Sequence, residues 1–327
     1  MTANPGSGSC SRRDFVHDSL SCAGHLALAS LILPPRWRSG WARQAQGRIV
    51  AQEPFGRLEQ VAEGVWALIS TPLTGDRTTV ANGGLIAGRT GVLAIEGFFQ
   101  PQGAAWLAAR SRELTGRWPT DVLLTHYHAD HVNGVAGYLT GQPRPAVMTT
   151  PTTRDLALVR NQPADPDRSA ALNRVSALHG TEDTTLDLGG RTVRIHRGTG
   201  HTPSDLAIVL DDPAITFCGD LVWNGMFPNY VDAVPSALTQ AVRGLRRGAG
   251  VTYVPGHGSV ASDGDVARYL EMLGTVEEAA RRAHRAGTSA AEAAAGFSLP
   301  ASLGEWTLFG ATFFERAFTA WYRELDS

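Results

Sequence analysis

The pattern of apolar and polar positions predicts two successive halves, each built of strands followed by helices. In the first half, strands are expected at 58–70, 78–87, 91–96, 122–124 and 146–150, and helices at 101–115, 132–139, 152–160 and 168–178. In the second half, strands are expected at 191–196, 206–210, 214–218 and 251–254, and helices at 235–247, 265–285, 290–296 and 306–325. Repetition of this order predicts an α/β fold in which two sheets pack face to face with helices outside.

The apolar run at 122–124 leads directly into three histidines and an aspartate. His126 and His128 share one side of the strand end, because successive residues of a strand point to opposite faces, whereas Asp130 and His131 turn away. Imidazole and carboxylate groups are the ligands that Zn²⁺ and similar ions prefer. One ion cannot easily accept four ligands from so tight a cluster, so the pattern predicts two metal ions.

Later predicted strands offer further candidate ligands. His201 follows a strand in a glycine-flanked loop, Asp220 follows the apolar strand at 214–218, and His257 lies between Gly256 and Gly258. Each of these residues alone is a weak signal, since a histidine beside glycine is usually a turn residue. Together with the first cluster they supply five histidines and two aspartates, which is the ligand count of a two-metal site.

Length and composition indicate an ordinary globular chain that is long enough to bury a sizeable core. The 327 residues are 43% hydrophobic and 18% charged, with a net charge of −2, and all 29 basic residues are arginine. The basic cluster at Arg243, Arg246 and Arg247 is too small for a nucleic-acid footprint, so no nucleic-acid partner is expected. A small-molecule substrate is expected instead, and the sequence leaves the oligomeric state open.

The N-terminal segment resembles a twin-arginine export signal. Arg12 and Arg13 precede a moderately apolar run at 20–33, which is too short for a firm membrane span, so no stable span is expected after processing. The predicted organisation is a signal peptide and linker over 1–46 and a catalytic domain over 47–327, in the periplasm or secreted. Cys218 is then the lone cysteine of the mature chain, which allows no intramolecular disulfide there.

The ordered set of ligand motifs resembles that of the metallo-beta-lactamase superfamily, over about 58–258. The motifs are His126-x-His128-x-Asp130-His131, Gly200-His201-Thr202, Gly219-Asp220 and Gly256-His257-Gly258. The resemblance implies a four-layer αββα sandwich, here with extra C-terminal helices, and a metal site at one edge of the sheets. It further implies one ion on His126, His128 and His201, a second on Asp130, His131 and His257, and Asp220 as a bridge between them. Glu96, at the end of the strand before the first helix, is expected to support the ligand residues and not to bind a metal itself.

The expected chemistry follows from two adjacent ions. Two divalent ions lower the pKa of a shared water molecule, so that a metal-bound hydroxide exists at neutral pH, and they polarise a substrate carbonyl group. The predicted activity is therefore dinuclear zinc-dependent hydrolysis of an acyl bond in an ester, lactone, thioester or beta-lactam amide. Asp130 is expected to orient the nucleophile, and Asp220 to fix the spacing of the ions. The oxygen ligands also admit Mn²⁺ or Fe²⁺.

A mononuclear iron oxidoreductase and a binding protein without turnover are two alternatives to this hydrolase activity. A mononuclear iron oxidoreductase resembling the persulfide dioxygenases would use His126, His201 and Asp220 and leave the other ligands idle. A metal-stabilised binding protein without turnover is the third class and ranks last. A further group of superfamily members reduces dioxygen or nitric oxide. These enzymes carry Glu where this chain has His128, which argues against such a reductase activity here.

A true beta-lactamase is the remaining alternative, and the sequence departs from it at two positions. The penicillin- and carbapenem-hydrolysing members have Cys at the place of Asp220 and Lys three residues later, where this chain has Trp223. We expect Trp223, Phe227 and Tyr230 to form an apolar wall. Such a wall would favour a neutral ester, lactone or thioester.

The export prediction can be tested directly. Replacing Arg12 and Arg13 together by Lys should retain the precursor in the cytoplasm, because the twin-arginine pair is what the export machinery recognises. Cell fractionation followed by immunoblotting measures the distribution. Periplasmic delivery of the Lys-Lys variant at the parent's efficiency would show that the segment is not a twin-arginine signal.

Overall fold

The computed structural model describes residues 47–140, 143–161 and 165–327. The signal peptide and linker expected over 1–46 lie outside the described residues, so this boundary stays a prediction. Within the described part, no helix combines the length and the apolar character that crossing a bilayer requires.

The first sheet of the described chain has eight strands that follow one another in chain order. Strands β1 to β5 pair antiparallel, and β5 to β8 pair parallel. The strands are β1 (Arg48–Glu53), β2 (Gly56–Ala62), β3 (Val65–Ser70), β4 (Gly83–Ala87), β5 (Val92–Ile95), β6 (Asp121–Leu123), β7 (Ala146–Thr149) and β8 (Ser176–Ala177).

The second sheet has five strands in the order β13-β12-β11-β10-β9 within the described ranges. Its pairs are antiparallel except for β12 with β13, which run parallel. The strands are β9 (Thr184–Asp187), β10 (Thr192–Gly198), β11 (Asp205–Leu210), β12 (Ile215–Asn224) and β13 (Thr252–Gly258).

Helices cover the outer faces of both sheets. The α-helices are α1 (Pro101–Thr115), α2 (Ala129–Val132), α3 (Pro151–Arg160), α4 (Pro166–Leu172), α5 (Pro235–Leu245), α6 (Asp263–Arg285), α7 (Ala290–Ala295) and α8 (Phe313–Leu325). Short 3₁₀ turns occur at Pro72–Thr74, Val135–Leu139 and Ala301–Leu303.

Three buried apolar clusters show how the layers are stacked. One cluster joins the facing sides of the two sheets, for example Ile95 with Phe217. A second cluster packs the outer side of the first sheet against α1, and a third packs the second sheet against α5, α6 and α8. This arrangement confirms the predicted αββα sandwich with extra C-terminal helices.

The structure differs from the predicted elements mainly where polar residues form edge strands. β1 and β9 were not predicted, because half-exposed polar strands at sheet edges lack a clear apolar pattern. The predicted strand at 58–70 is a hairpin that turns at Gly64, whose φ is +69°. The predicted helix at 168–178 ends at Leu172, and the last helix begins at Phe313 instead of 306. Helix α1 matches the predicted 101–115.

Hydrogen bonds hold the two sheets together at the edge where the candidate ligands lie. Asn82, just before β4, donates through Nδ2 to the carbonyl oxygens of Pro255 (2.9 Å) and Gly258 (2.8 Å) on β13. Its backbone N–H donates to the carbonyl of Gly256, and the N–H of Leu206 on β11 donates to the carbonyl of Thr125 after β6. The strand ends of the two halves are therefore fixed relative to each other.

Glycine is required at Gly84 on β4 by the close packing of the two sheets. A Cβ atom there would meet the carbonyl oxygen of Trp66 and would lie 2.6 Å from Cε1 of Phe217. Gly84→Ala should therefore destabilise the protein by about 1–3 kcal/mol, since overpacking forces the sheets apart. Urea unfolding measures the change.

Gly274, inside α6, is the matched control for this substitution. A Cβ atom there would meet nothing within 4 Å, so Gly274→Ala should stabilise the protein by about 0.5–1 kcal/mol through helix propensity. Equal effects of the two substitutions would contradict the close packing of the sheets at Gly84.

Candidate metal centre

The structure brings all seven predicted ligand residues to one edge of the sandwich. His126 and His128 follow β6, Asp130 and His131 lie on α2, and His201 lies in the loop between β10 and β11. Asp220 and His257 lie within β12 and β13, because these strands continue beyond the predicted ends. The residues form two groups: His126, His128, His201 and Asp220, and Asp130, His131 and His257.

The first group surrounds one point with three imidazole nitrogens and a carboxylate oxygen. Nδ1 of His128 lies 3.1 Å from Nε2 of His126 and 3.0 Å from Nε2 of His201. Oδ2 of Asp220 lies 3.2 Å from Nε2 of His201 and 3.9 Å from Nε2 of His126. His128 thus faces the group through Nδ1, whereas the other two histidines face it through Nε2.

The second group is completed by the other oxygen of the same carboxylate. Oδ1 of Asp220 lies 3.2 Å from Nε2 of His131 and 3.4 Å from Nε2 of His257. Oδ2 of Asp130 lies 3.3 Å from Nε2 of His257 and 3.7 Å from Nε2 of His131. Asp220 therefore presents one oxygen to each group.

These spacings and the unpaired atoms fit two metal ions. Ligands at zinc-bond length around a tetrahedral ion lie roughly 3.3–3.6 Å apart, which is close to the separations in both groups. Nε2 of His131 and Oδ1 of Asp220 are buried and have no hydrogen-bond partner, and a buried polar atom of this kind needs one or a cation. Metal binding by the seven residues stays a prediction that this geometry supports.

Glycines at two positions allow the strands to approach this closely. Gly219 has φ +51°, and a Cβ atom there would lie 2.9 Å from Oγ1 of Thr125. A Cβ atom at Gly256 would collide with Oδ1 of Asp220. The glycines beside Asp220 and His257 therefore make room for the ligand side chains.

Two carboxylates, those of Glu96 and Asp232, contact candidate ligand histidines at the ring nitrogen that does not face the metal centre. Oε1 of Glu96 lies 3.0 Å from Nδ1 of His131 and accepts a 2.6 Å hydrogen bond from the Thr125 hydroxyl. Glu96 itself has φ +78° in the left-handed region, which costs backbone energy in a residue other than glycine. Nε2 of His128 donates to Oδ2 of Asp232 at 3.0 Å, which leaves Nδ1 as the nitrogen with a free lone pair.

Sequence reasoning placed Glu96 behind the ligands but missed the role of Asp232 and its partner Arg160. Nη1 of Arg160, the last residue of α3, donates to Oδ1 of Asp232 at 2.7 Å. The two residues are 72 positions apart, and neither belongs to a ligand motif. A local pattern therefore offered no signal for this pair.

The prediction that three aromatic residues form an apolar wall facing the substrate is wrong. Trp223, Phe227 and Tyr230 are 3%, 0% and 1% exposed, because the C-terminal helices and the loop before α8 cover them. The ring of Trp223 lies 4.0 Å from that of His257, and Phe309 and Phe313 pack behind it at 6.3 and 6.4 Å. Trp223 thus supports a ligand side chain instead of facing a substrate.

Burial and charge oppose each other in the second group. Burial lowers the pKa of His257, but the charge of Asp220 and the hydrogen bond to Asp130 raise it to about 9. The pKa of His131 is likewise raised against the effect of burial, chiefly by Asp220 and Glu96. Protons on these two imidazoles balance the buried carboxylates in the metal-free protein, and a bound cation would take their place.

The other ligands differ in both charge and access to solvent. Burial and the neighbouring His131 lower the pKa of His126, so this imidazole stays neutral and able to donate a lone pair. Side chains of His128 and Asp130 are 16% and 22% exposed, whereas the remaining five are at most 3% exposed. Solvent therefore reaches the site from the side of His128 and Asp130.

A family model described as the metallo-beta-lactamase superfamily matches residues 80–275. The chain belongs to this superfamily. The match confirms the resemblance drawn from the motifs, and it covers the elements from β4 to α6 that carry all the candidate ligands.

The similar curated proteins are named as hydrolases. The chain is 29% identical over 147 residues to a hydroxyacylglutathione hydrolase of Parasynechococcus marenigrum (strain WH8102), covering 43% of this chain and 50% of that protein. It is 33% identical over 124 residues to one of Rhodopseudomonas palustris (strain BisA53), covering 38% and 41%. The chain thus matches half or less of the length of these curated relatives.

Solved structures share the fold at low identity. The sec-alkylsulfatase Pisa1 of Pseudomonas sp. aligns with a TM-score of 0.65 at 15% identity, over 82% of this chain and 50% of that one. A metallo-beta-lactamase of Pontibacter korlensis aligns with a TM-score of 0.54 at 20% identity, over 66% and 98%. These likenesses confirm the fold of the superfamily and carry no statement about substrate.

The raised pKa values predict how the stability of the metal-free protein depends on pH. A folded pKa above the unfolded value of about 6.5 stabilises the protein fully below that pH, and the contribution is lost as the pH rises toward about 9. The free energy of unfolding should therefore fall by roughly 1–2 kcal/mol per pH unit between about pH 6.5 and 8. Urea unfolding in the presence of a chelator measures it.

The metal-loaded protein provides the comparison for this pH dependence. Its liganding histidines are already deprotonated, so its stability should change much less over the same range. His284→Gln, which alters a partly exposed histidine of α6, should keep the slope of the metal-free parent. A metal-free protein whose stability is flat over this range would contradict the balance of protons and carboxylates at His131 and His257.

Proposed function

We propose that this protein is a dinuclear metal-dependent hydrolase of acyl bonds, with zinc as the expected metal and Mn²⁺ or Fe²⁺ as possible substitutes. The observation that carries the proposal is the position of Asp220, whose two oxygens complete two separate ligand groups. Membership of the superfamily and similarity to proteins named as hydrolases support the prediction of a metal-dependent hydrolase.

The residues of the site have separate roles in this proposal. Divalent ions held there would supply a Lewis acid and lower the pKa of a water molecule. Asp130 faces His131 and His257 through Oδ2, so its Oδ1 can accept a hydrogen bond from the attacking water and orient it. Asp220 fixes the separation of the two groups. The substrate carbonyl enters on the exposed side, beside His128 and Asp130.

A thioester is the substrate class with the most support. The curated relatives are named hydroxyacylglutathione hydrolases, and an acylglutathione is a thioester. Esters and lactones present the same carbonyl group to the site, and a beta-lactam amide remains an alternative. The proposed place of action is the periplasm or the cell exterior, a proposal that rests on Arg12 and Arg13 ahead of the apolar run at 20–33.

The buried second group argues against the mononuclear iron alternative. An enzyme that used only His126, His201 and Asp220 would leave Asp130, His131 and His257 as a second buried group whose imidazoles need protons to balance the carboxylates. Burying charged groups is costly unless they are well paired. A second ion would hold this group without those protons, so the geometry supports a dinuclear site better.

Metal analysis combined with a substrate panel tests the proposed function. The purified protein should contain two divalent ions per chain and should hydrolyse thioesters, lactones or esters, with loss of activity in chelator and recovery with zinc. One iron per chain with consumption of oxygen would favour the persulfide dioxygenase alternative. Efficient turnover of penicillins or carbapenems above the other classes would make the protein a true beta-lactamase.

Asp220→Ala tests the bridging role. Loss of the shared carboxylate should lower the metal content and reduce activity by at least about a hundredfold, as expected when ligand support is removed. Asp211→Ala is the matched control, since that carboxylate is 80% exposed and pairs with Arg247 away from the site. A nearly unchanged rate in Asp220→Ala would exclude a bridge.

A further inference from the structure

Arg160 lies at the exposed side of the candidate metal centre. Its side chain is 53% exposed, and it forms an ion pair with Asp232, whose other oxygen accepts from Nε2 of His128. His128 is in turn one of the two solvent-accessible ligand residues. The guanidinium group is therefore separated from a candidate ligand by two hydrogen bonds, on the side where a substrate enters.

The guanidinium group is held in a fixed position. Nη1 donates to Oδ1 of Asp232 at 2.7 Å and to the hydroxyl of Tyr127 at 3.3 Å. The group also lies 5.7 Å from the centre of the Tyr127 ring, which is itself buried. A side chain anchored in this way loses little further freedom when it binds a partner.

Part of the binding capacity of Arg160 remains unused. A guanidinium group carries five N–H donors, and both contacts above involve Nη1. The structure shows no hydrogen bond from Nη2 or Nε to a described residue, and their N–H groups have the parallel arrangement that matches a carboxylate. Asp232 shares its two oxygens between Arg160 and His128. The guanidinium group of Arg160 is therefore paired with one carboxylate and could bind a second.

The surroundings make Arg160 distinctive among the cations of the described chain. The chain contains no lysine, and among the ion pairs between described residues only that of Arg160 joins an arginine to a carboxylate that contacts a candidate ligand histidine. The position near the second group where related beta-lactamases are expected to carry Lys is the buried Trp223. A substrate anion next to the scissile bond would therefore meet no cation at this position.

We propose that Arg160 is a specificity-determining residue that binds a substrate carboxylate several bonds away from the scissile acyl group. The inference rests on the proposed function and narrows it. The favoured substrates are acyl esters or thioesters with a remote carboxylate. Beta-lactams carry their carboxylate next to the scissile amide, whereas Asp232 and His128 separate Arg160 from the site, so beta-lactams should gain less from Arg160.

Binding of two matched thiols to the zinc-loaded protein tests this without turnover. The thiol group of 4-mercaptobutanoate can ligate zinc, and its carboxylate lies several bonds away; the methyl ester of the same thiol has no charge. Calorimetric titration should show that the parent prefers the carboxylate. Arg160→Gln should reduce this preference at least about tenfold, the lower end of the effect of losing a hydrogen bond to a charged group.

Three comparisons make the result specific. Arg160→Lys, which keeps the charge, should retain part of the preference. Arg154→Gln is the matched control on the same helix, because that arginine pairs with its neighbour Asp155, and it should keep the full preference. Substrate pairs that differ only in a remote carboxylate should show the same ratios in kcat/KM.

The ratio of the two affinities separates recognition from an indirect effect on the metal. If Arg160 acted only by orienting Asp232 and His128, Arg160→Gln would weaken both thiols equally and leave the ratio unchanged, which would overturn the inference. A parent that binds the two thiols equally would also overturn it and leave the proposed function intact. A protein that takes up no metal would overturn both.

Discussion

The carboxylate of Asp220 is the group on which the site depends. It is buried between four imidazoles and presents one oxygen to each of two ligand groups. An isolated carboxylate in such a place would be strongly destabilised, and without cations the protein neutralises it by protonating His131 and His257. The same arrangement suits the proposed divalent ions, since a bound ion would replace protons that the carboxylates otherwise require.

The fold positions this carboxylate by joining two sheets at one edge. Asp220 and His257 come from the parallel pair β12 and β13, whereas the first four ligands follow β6 in the other sheet. The side chain of Asn82 crosses between the sheets and accepts from the backbone of Ser70 while donating to β13. The strand ends that carry the site are thus fixed by hydrogen bonds between the sheets and by glycines that permit close approach.

The sequence predicted the layers and the seven candidate ligands because both are encoded locally. Apolar runs identify buried strands, and His126 to His131 lie within six positions. It did not predict the polar edge strands β1 and β9, whose pairing comes from tertiary structure, or the contact between Arg160 and Asp232, which joins distant segments. Trp223 was misjudged for the same reason, since the helices that bury it follow almost a hundred residues later in the chain.

The site is divided into a covered half and an accessible half. Trp223 and the C-terminal helices close the side of His257, and Glu96 and Thr125 support His131 from within the first sheet. His128 and Asp130 face solvent, and Asp232 with Arg160 forms the adjoining surface. Because the covered half is buried against Trp223 and the C-terminal helices, we expect substrate contacts from the accessible half. Arg160 places a positive charge in the accessible half. It forms an ion pair with Asp232, the carboxylate that also orients His128.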